Sequence, residues 1–159
     1  MAVFAAFGDS TVPIFRPASL ADLEAIHALE TSEFAQLGYP YFVLRQLFEL
    51  HGADWTIAEY QSEVCGYVLT AIGPTGCAWF MGIAVARYCR GRGFGRKLLE
   101  AALDHCRRAR VDQVFVTVRP DNKAAYHLYK EVGFVWADQD KRYFGANEPR
   151  DVLVRRLYH

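Results

Sequence analysis

The sequence has no excess of charge of either sign. Its 159 residues include 18 lysines and arginines and 18 aspartates and glutamates, so the formal net charge at pH 7 is zero. A neutral chain has no overall attraction for polyanions, which argues against a general binder of nucleic acid or membranes. We therefore expect neither nucleic acid nor a membrane among its partners, and any anion to bind at a local cluster.

Long apolar runs and basic leader segments are missing as well. The longest strongly apolar stretch, residues 77–86, is well short of the ~20 residues that cross a bilayer. The chain has no basic residue before Arg16 and reaches Asp9 early, unlike a secretory signal. These features favour a cytoplasmic protein, and we expect residues 1–10 to be a loosely ordered extension.

Metal-binding signatures are also absent from the sequence. The four cysteines form no Cys-x-x-Cys pair, and no histidine stands near them at zinc-ligand spacing. The simplest interpretation is four reduced thiols and no bound metal: Cys65, Cys77, Cys89 and Cys106.

What the chain does contain is enough apolar material for one core. Hydrophobic residues make up 52% and charged residues 23%, close to the averages of globular proteins. A single domain typically has roughly 100–200 residues. We therefore expect one domain over residues 1–159.

Hydrophobic periodicity in the first half predicts a strand, two helices and a three-stranded meander. The first strand is expected over 12–16, and Ser19 followed by Asp22 is typical of a capping box at the start of a helix. The second helix should end at Gly52. Three β-rich runs separated by turn residues follow: 55–60, 64–72 and 77–85.

The second half alternates helices and strands. A helix to about Arg110 precedes the apolar run 114–118, which is typical of a strand buried on both faces and paired in parallel. A helix over 123–132 and strands over 134–144 and 151–157 complete the order βααβββαβαββ. This is an α+β (mixed α/β) fold with a mostly antiparallel central sheet, one parallel pair and flanking helices. Core packing is expected for the strand tryptophans Trp55, Trp79 and Trp136.

The most specific feature is a basic, glycine-rich turn between a strand and a helix, Arg90-Gly-Arg-Gly-Phe-Gly-Arg96. Glycines let several backbone N–H groups converge on a phosphate, and the helix N-terminus adds partial positive charge. The three arginines of the turn can add charge-assisted hydrogen bonds. The spacing matches neither a P-loop nor a dinucleotide fingerprint. The turn thus indicates an anion site, with a solvated surface turn as the competing interpretation.

A second motif follows the next strand, in Asn122, Ala125, Leu128-Tyr129 and Gly133-Phe134. Together with the glycine-rich turn and the order of elements along nearly the whole chain, it resembles the GCN5-related N-acetyltransferases. The resemblance implies acetyl transfer from acetyl-coenzyme A (acetyl-CoA), as co-substrate, to a primary amine in a ternary complex.

The resemblance also implies roles for individual residues. Pyrophosphate would be held by the turn, composed of Arg90, Gly91, Arg92, Gly93, Phe94, Gly95 and Arg96. The pantetheine arm would pair with the strand end at Ile83, Ala84 and Val85. Asn122 would contact the arm, and Tyr129 would donate a proton to the departing thiolate. A phenol with a pKa near ~10 is protonated at neutral pH and suits that role, although Tyr129 is also a plausible core residue.

The end of the chain resembles one branch of the family, the N-terminal protein acetyltransferases that include the ribosomal-protein alanine type. The matching segments are 141–145 and 148–152. In that branch, paired aromatic residues line the peptide entrance, and the resemblance implies that role for Tyr143 and Phe144.

The match departs from that branch at Thr117, where the ribosomal-protein enzymes carry a glutamate base. Threonine cannot replace a carboxylate as a base. Two glutamates near the first helix, Glu30 and Glu33, are the remaining candidates, acting through a water molecule, although acids at a helix end are usually solvated.

Three functions follow from these observations. An α-amine with a pKa of about 7.7–8.0 is partly neutral at physiological pH and needs only a weak base, which favours a peptide N-terminus as acceptor. The missing carboxylate and the aromatic-rich segment 34–48 leave open a small-molecule amine or antibiotic acetyltransferase. A third hypothesis is a CoA-binding regulatory module with little catalysis. A monomer and a homodimer are equally compatible with the sequence.

Overall fold

The computed structural model describes residues 12–157, so the expected extension over 1–10 lies outside the described residues. The described part confirms the element order βααβββαβαββ. Its strands and α-helices are β1 (Ile14–Pro17), α1 (Leu23–Phe34), α2 (Tyr41–His51), β2 (Thr56–Tyr60), β3 (Glu63–Ile72), β4 (Cys77–Val85), α3 (Phe94–Arg108), β5 (Gln113–Val118), α4 (Lys123–Glu131), β6 (Val135–Asp140) and β7 (Arg150–Arg156). None of these helices is long and apolar enough to cross a membrane.

The seven described strands form one sheet in the order β1-β2-β3-β4-β5-β7-β6. Every neighbouring pair is antiparallel except β4 and β5, which are parallel. Their ladder starts with Cys77 opposite Gln113 and stops with Phe80 opposite Val116. Since β4 continues to Val85 without pairing to β5, the two strands splay, and the backbone of β4 beyond Phe80 has no strand partner along that edge.

A β-bulge lies where the splay begins. On β3, Leu69 faces Gly82 while Thr70 faces Phe80, so Met81 is the extra residue on β4. Such a bulge increases the local twist and redirects the strand, which is a common device next to binding sites. The bulge thus turns the second half of β4 away from β5.

The helices cover the two faces of the sheet with separate core clusters. Residues of α3 and α4 pack in one cluster, which includes Leu98, Leu99 and Tyr129. Residues of α1 and α2 pack in the other, which includes Ile26 and Leu44. From Tyr67 to Leu69, β3 alternates between the two clusters, as a strand with a side-chain period of two does when both its faces are covered.

The predicted capping box at the first helix is confirmed. The backbone N–H of Ser19 donates to Asp22 Oδ2 at 2.7 Å, which is the half of the box made by the acidic side chain. The N–H of Asp22 also donates to the Ser19 carbonyl at 3.0 Å, which closes the first turn. One 3-10 turn over Leu20–Asp22 precedes the regular helix, so α1 begins later than the pattern alone indicates.

Three expectations about the strands are wrong. β6 ends at Asp140 rather than at residue 144, because the Asp140 carboxylate accepts the backbone N–H of Arg142 at 2.8 Å and starts a turn. Trp136 is 59% exposed, since β6 is the outermost strand, whereas Trp55 is buried as predicted. β5 is not buried on both faces: Phe115 and Thr117 are half-buried, because α1 and α2 pack over β3 and β4.

Candidate active site

The glycine-rich turn has the backbone geometry of an anion site. Gly91 and Gly93 have φ angles of 75° and 78°, in the left-handed region that glycine adopts without strain. The Lys97 N–H donates to the Gly93 carbonyl at 3.2 Å as the first helical bond of α3. The three N–H groups before Lys97 therefore have no carbonyl partner inside the helix and point towards its N-terminal end.

The arginines of the turn are all bound by protein groups. The partners are the Glu33 carboxylate and the Val85 carbonyl (3.1 Å) for Arg90, the Tyr60 hydroxyl (3.1 Å) for Arg92 and the Glu100 carboxylate (3.1 Å) for Arg96. An anion in the turn therefore meets the backbone N–H groups first. Each guanidinium keeps further N–H donors, but its present partner fixes its position and competes with an anion for its charge.

Replacing Gly93 by alanine is expected to lower the free energy of unfolding by about 1 kcal/mol, because a side chain in the left-handed region is strained. Nothing lies within 4 Å of the added Cβ, so the effect is conformational and not steric. Denaturant unfolding measures it. Gly73→Ala is the control, since that Cβ makes only an ordinary 3.4 Å contact with the Cys77 carbonyl at a normal φ. Equal losses in both variants would contradict the conformational explanation.

The start of α4 follows β5, the other splayed strand. Asn122 caps this helix, because its side-chain oxygen accepts the Ala125 N–H at 3.1 Å. Tyr129, two turns further on, is 7% exposed, and its ring centroid lies 5.7 Å from that of Phe134. Burial raises the pKa of the Tyr129 phenol, which keeps its proton in place across the neutral range.

A buried carboxylate lies on the opposite face of the sheet, beside the bulge. Glu30 is 2% exposed and accepts hydrogen bonds from the Tyr67 hydroxyl and, at 2.9 Å, from the Tyr39 N–H. The glycine at position 82 lets the carboxylate approach the backbone of β4 closely, since a Cβ there would lie only 3.2 Å from Glu30 Oε1. Burial raises the pKa of Glu30, and the two hydrogen bonds oppose that rise.

Two aromatic loops lie against β4 near this carboxylate. After α1, the Tyr39 hydroxyl donates to the Met81 carbonyl at 3.1 Å, while burial and then the neighbouring Glu30 and Tyr143 raise the pKa of its phenol. After β6, the ring of Tyr143 lies 6.5 Å from Trp79 and 4.9 Å from Phe144. Together Tyr39, Tyr143 and Phe144 form what we call the aromatic entrance, which lies beside the bulge on β4.

The structure separates the two glutamates that the sequence left as base candidates. Glu30 lies against the bulge, and it is buried instead of solvated as expected. Glu33 is bound to Arg90 and lies 3.9 Å from Arg87 Nε, so its charge is already paired. Thr117 lies half-buried on β5 and supplies no carboxylate.

Sequence reasoning missed Tyr39 and Tyr67, the two hydrogen-bond donors to Glu30. Tyr39 lies inside the Gly-Tyr-Pro break that predicted only a helix boundary. Tyr67 lies inside β3, where an aromatic residue is typical of a core strand. The sequence offered one indication, the tyrosine between Gly38 and Pro40. Glycine and proline are sufficient to form a turn, so an aromatic residue between them suggests a further role.

Residues 20–134 match the model of the acetyltransferase (GNAT) family. An N-alpha-acetyltransferase of Sulfurisphaera tokodaii is 27% identical over 154 residues, which cover 89% of this chain and 92% of that protein.

Two solved structures share the fold. The ribosomal-protein-S18-alanine N-acetyltransferase of Escherichia coli superposes with a TM-score of 0.81 at 21% identity, covering 93% of this chain and 96% of that one. YncA, a proposed acetyltransferase of Salmonella typhimurium solved with acetyl-CoA, superposes with a TM-score of 0.77 at 20% identity, covering 92% and 95%.

Proposed function

Because this chain belongs to the acetyltransferase (GNAT) family, we propose that it transfers the acetyl group of acetyl-CoA to the α-amine of a protein or peptide N-terminus. The observation that carries the proposal is the position of Glu30. Its carboxylate lies against Gly82, between the aromatic entrance and the splayed edge of β4. The N-alpha-acetyltransferase from Sulfurisphaera supports the choice of acceptor.

The splayed strands and the glycine-rich turn fit acetyl-CoA. Beyond Phe80, β4 has no strand partner on the β5 side, so Ile83, Ala84 and Val85 would pair with the pantetheine arm, which takes the place of Arg90 at the Val85 carbonyl. The N–H groups at the start of α3 would hold the pyrophosphate, and Asn122 would contact the arm. The acetyl-CoA in the Salmonella neighbour supports this placement. When bound, acetyl-CoA supplies the thioester that an amine attacks.

Glu30 takes the proton that the amine has to lose. An α-amine with a pKa of about 7.7–8.0 is still partly protonated at neutral pH, and only the neutral form attacks. The raised pKa of Glu30 makes it a better proton acceptor than an exposed carboxylate, and a water molecule can carry the proton between them. Tyr67 and Tyr39 hold the carboxylate in position through the bonds described above.

Tyr129 holds the other proton of the reaction. Its phenol is buried in the cluster between α3, α4 and the sheet, and desolvation keeps it protonated. A thiolate that forms next to it takes this proton, because a charged sulfur in a dry site is more basic than in water. The base and the acid thus lie on opposite faces of the sheet, one on each side of the splay.

The acceptor peptide lies between the two aromatic loops. Tyr39 closes one side, and Tyr143 and Phe144 form the other. Aromatic side chains with polar ends suit this role, because they bury apolar surface while keeping a hydrogen-bonding group. An extended N-terminus fits between the loops with its amine directed at Glu30.

Glu33→Gln is expected to bind acetyl-CoA about threefold more tightly and to keep kcat within about twofold. The reason is that Arg90 loses its carboxylate partner and is free to meet the pyrophosphate. Isothermal titration with acetyl-CoA and steady-state kinetics measure the two quantities. A kcat reduced about 100-fold at unchanged affinity would instead make Glu33 the base.

The direct test of the proposed function combines binding with thiol release. The protein is titrated with desulfo-CoA and then assayed with acetyl-CoA and an alanine-initiated peptide, the same peptide with its N-terminus blocked, and a panel of small amines. Release with the free peptide alone supports the proposal. Release with small amines alone would support a small-molecule acetyltransferase, and binding without any release would support a regulatory module.

A further inference from the structure

The loop between β6 and β7 carries an open basic pocket that the reaction described above does not use. The pocket has a volume of about 600 Å³, and its lining includes Lys141, Arg142 and Asn147. We propose that it binds the carboxylate of an acidic side chain of the acceptor peptide, C-terminal to the reacting amine. This inference rests on the proposed function, since it concerns the peptide that enters between the aromatic loops.

The pocket is formed before any peptide arrives. The Gly145 N–H donates to the Arg142 carbonyl at 3.0 Å, and the Glu148 N–H donates to the Gly145 carbonyl at 3.2 Å. The Asp140 carboxylate accepts the Arg142 N–H at 2.8 Å and fixes the start of the loop. A loop that is already ordered loses little conformational entropy on binding, which favours its use as a subsite.

The loop is also anchored beside the entrance. The Arg150 guanidinium lies 4.8 Å from the centroid of the Phe144 ring, and Tyr143 leans towards Trp79. Tyr143 and Phe144 directly follow the two basic residues, Lys141 and Arg142. A peptide that passes the aromatic pair therefore passes the basic pair within a few residues of its amine.

The two basic side chains have no counter-charge of their own. The Glu148 carboxylate is paired with Arg150 at 3.1 Å, and that of Asp140 is used by the backbone. Within residues 12–157, no carboxylate oxygen lies within 4.0 Å of the charged group of Lys141 or Arg142. Across the entrance, segment 34–44 has no charged residue. A carboxylate of the peptide is the group that completes this arrangement.

The expected effect is moderate, because the pocket is open to water. Pairs between exposed charges contribute up to about fivefold in an equilibrium constant, and salt screens them. We therefore expect kcat/KM to be about fivefold higher for a peptide with glutamate at the favoured position than for the same peptide with glutamine there. The preference should shrink towards unity as ionic strength rises.

The test uses a set of alanine-initiated peptides that carry a single glutamate or glutamine at one of positions two to five. Three proteins are compared: the wild type, the double variant Lys141→Gln with Arg142→Gln, and the control Arg108→Gln with Arg110→Gln. The control removes the same charge at the far end of α3. We expect the wild type and the control to prefer a glutamate peptide, and the loop variant to lose that preference while keeping its kcat/KM for glutamine peptides.

The outcomes separate this inference from the proposed function. Equal rates with glutamate and glutamine peptides in the wild type overturn the subsite and leave peptide acetylation standing. A preference that persists in the loop variant also overturns it, because the selecting charge then lies elsewhere. No thiol release with any peptide overturns both, since the pocket is proposed as part of a peptide site.

Discussion

Tyr129→Phe is expected to lower kcat about 100-fold to 1000-fold and to leave the affinity for acetyl-CoA within about twofold. Phenylalanine keeps the buried ring that packs against Phe134 and removes only the hydroxyl. Without that proton the thiolate has to leave as an anion from a site that burial has made dry. Steady-state kinetics and titration with desulfo-CoA measure the two quantities separately.

Tyr126→Phe is the matched control on the same helix. The Tyr126 hydroxyl donates to the Asp151 carboxylate, so its loss should cost about 1 kcal/mol of stability without the large loss of kcat. The Tyr129 hydroxyl makes no hydrogen bond to any described residue, so Tyr129→Phe should keep its unfolding midpoint. A Tyr129→Phe variant that turns over within twofold of the wild type would remove the proton-donor assignment.

Glu30→Gln is expected to lower kcat/KM about 100-fold. Glutamine has nearly the same shape. Its oxygen can accept the Tyr39 N–H, and its amide N–H, in the place of the other carboxylate oxygen, can donate to the oxygen of the Tyr67 hydroxyl. The change therefore removes the proton acceptor and preserves the geometry of the site. The Glu33→Gln protein is the control at a neighbouring carboxylate. If Glu30→Gln and Glu33→Gln gave the same small effect, neither glutamate would be the base.

The pH dependence of Glu30 has opposite signs for activity and for stability. Activity needs the deprotonated carboxylate, so wild-type kcat/KM should fall as pH falls, and it should do so above the ordinary carboxyl range because burial raises the pKa. For folding, a raised pKa means that the native state binds the proton more tightly than the unfolded state. The contribution of Glu30 to stability is thus fully present below its unfolded pKa and lost as pH rises through its folded pKa.

The stability of Glu30→Gln follows from that sign. At pH 8 the wild type carries the penalty of a buried charge, which the neutral glutamine does not carry. The variant should therefore keep its thermal midpoint at pH 8, or raise it, while its activity is lost. A strongly lowered midpoint would show that the loss of activity reflects unfolding of the site.

The fold could be predicted because its signals are local. Ser19 with Asp22, the turn residues between the meander strands and the glycine-rich turn each mark a boundary, and the structure has all three. The glycines at 91 and 93 also predicted a turn that other residues form only with strain, and both have positive φ angles.

What the sequence could not show depends on contacts between distant segments. Nothing near Glu30 in the chain indicates that Tyr67, 37 positions away, donates to it, or that a glycine at position 82 admits it to β4. For Arg90, charge alone predicts a phosphate ligand, but the fold brings Glu33 to it first. The prediction that Trp136 is buried was wrong for a similar reason. The position of β6 at the edge of the sheet depends on the topology of the whole chain and not on the composition of the strand.

The outermost strand, β6, affects how readily copies of the protein aggregate. The outermost strand of a sheet has unpaired backbone groups that another chain can bind. On β6, Val135 and Trp136 add exposed apolar surface. Asp138 and Asp140 follow at once, and the register shift at Ala137 kinks the strand between the apolar and the acidic residues. If the β6 strands of two copies paired edge to edge, their acidic residues would repel each other, and the kink would disturb the backbone pairing. We therefore expect the acidic end of β6 to limit association between copies, so that replacing Asp138 and Asp140 by asparagine should lower the solubility of the protein and leave kcat unchanged.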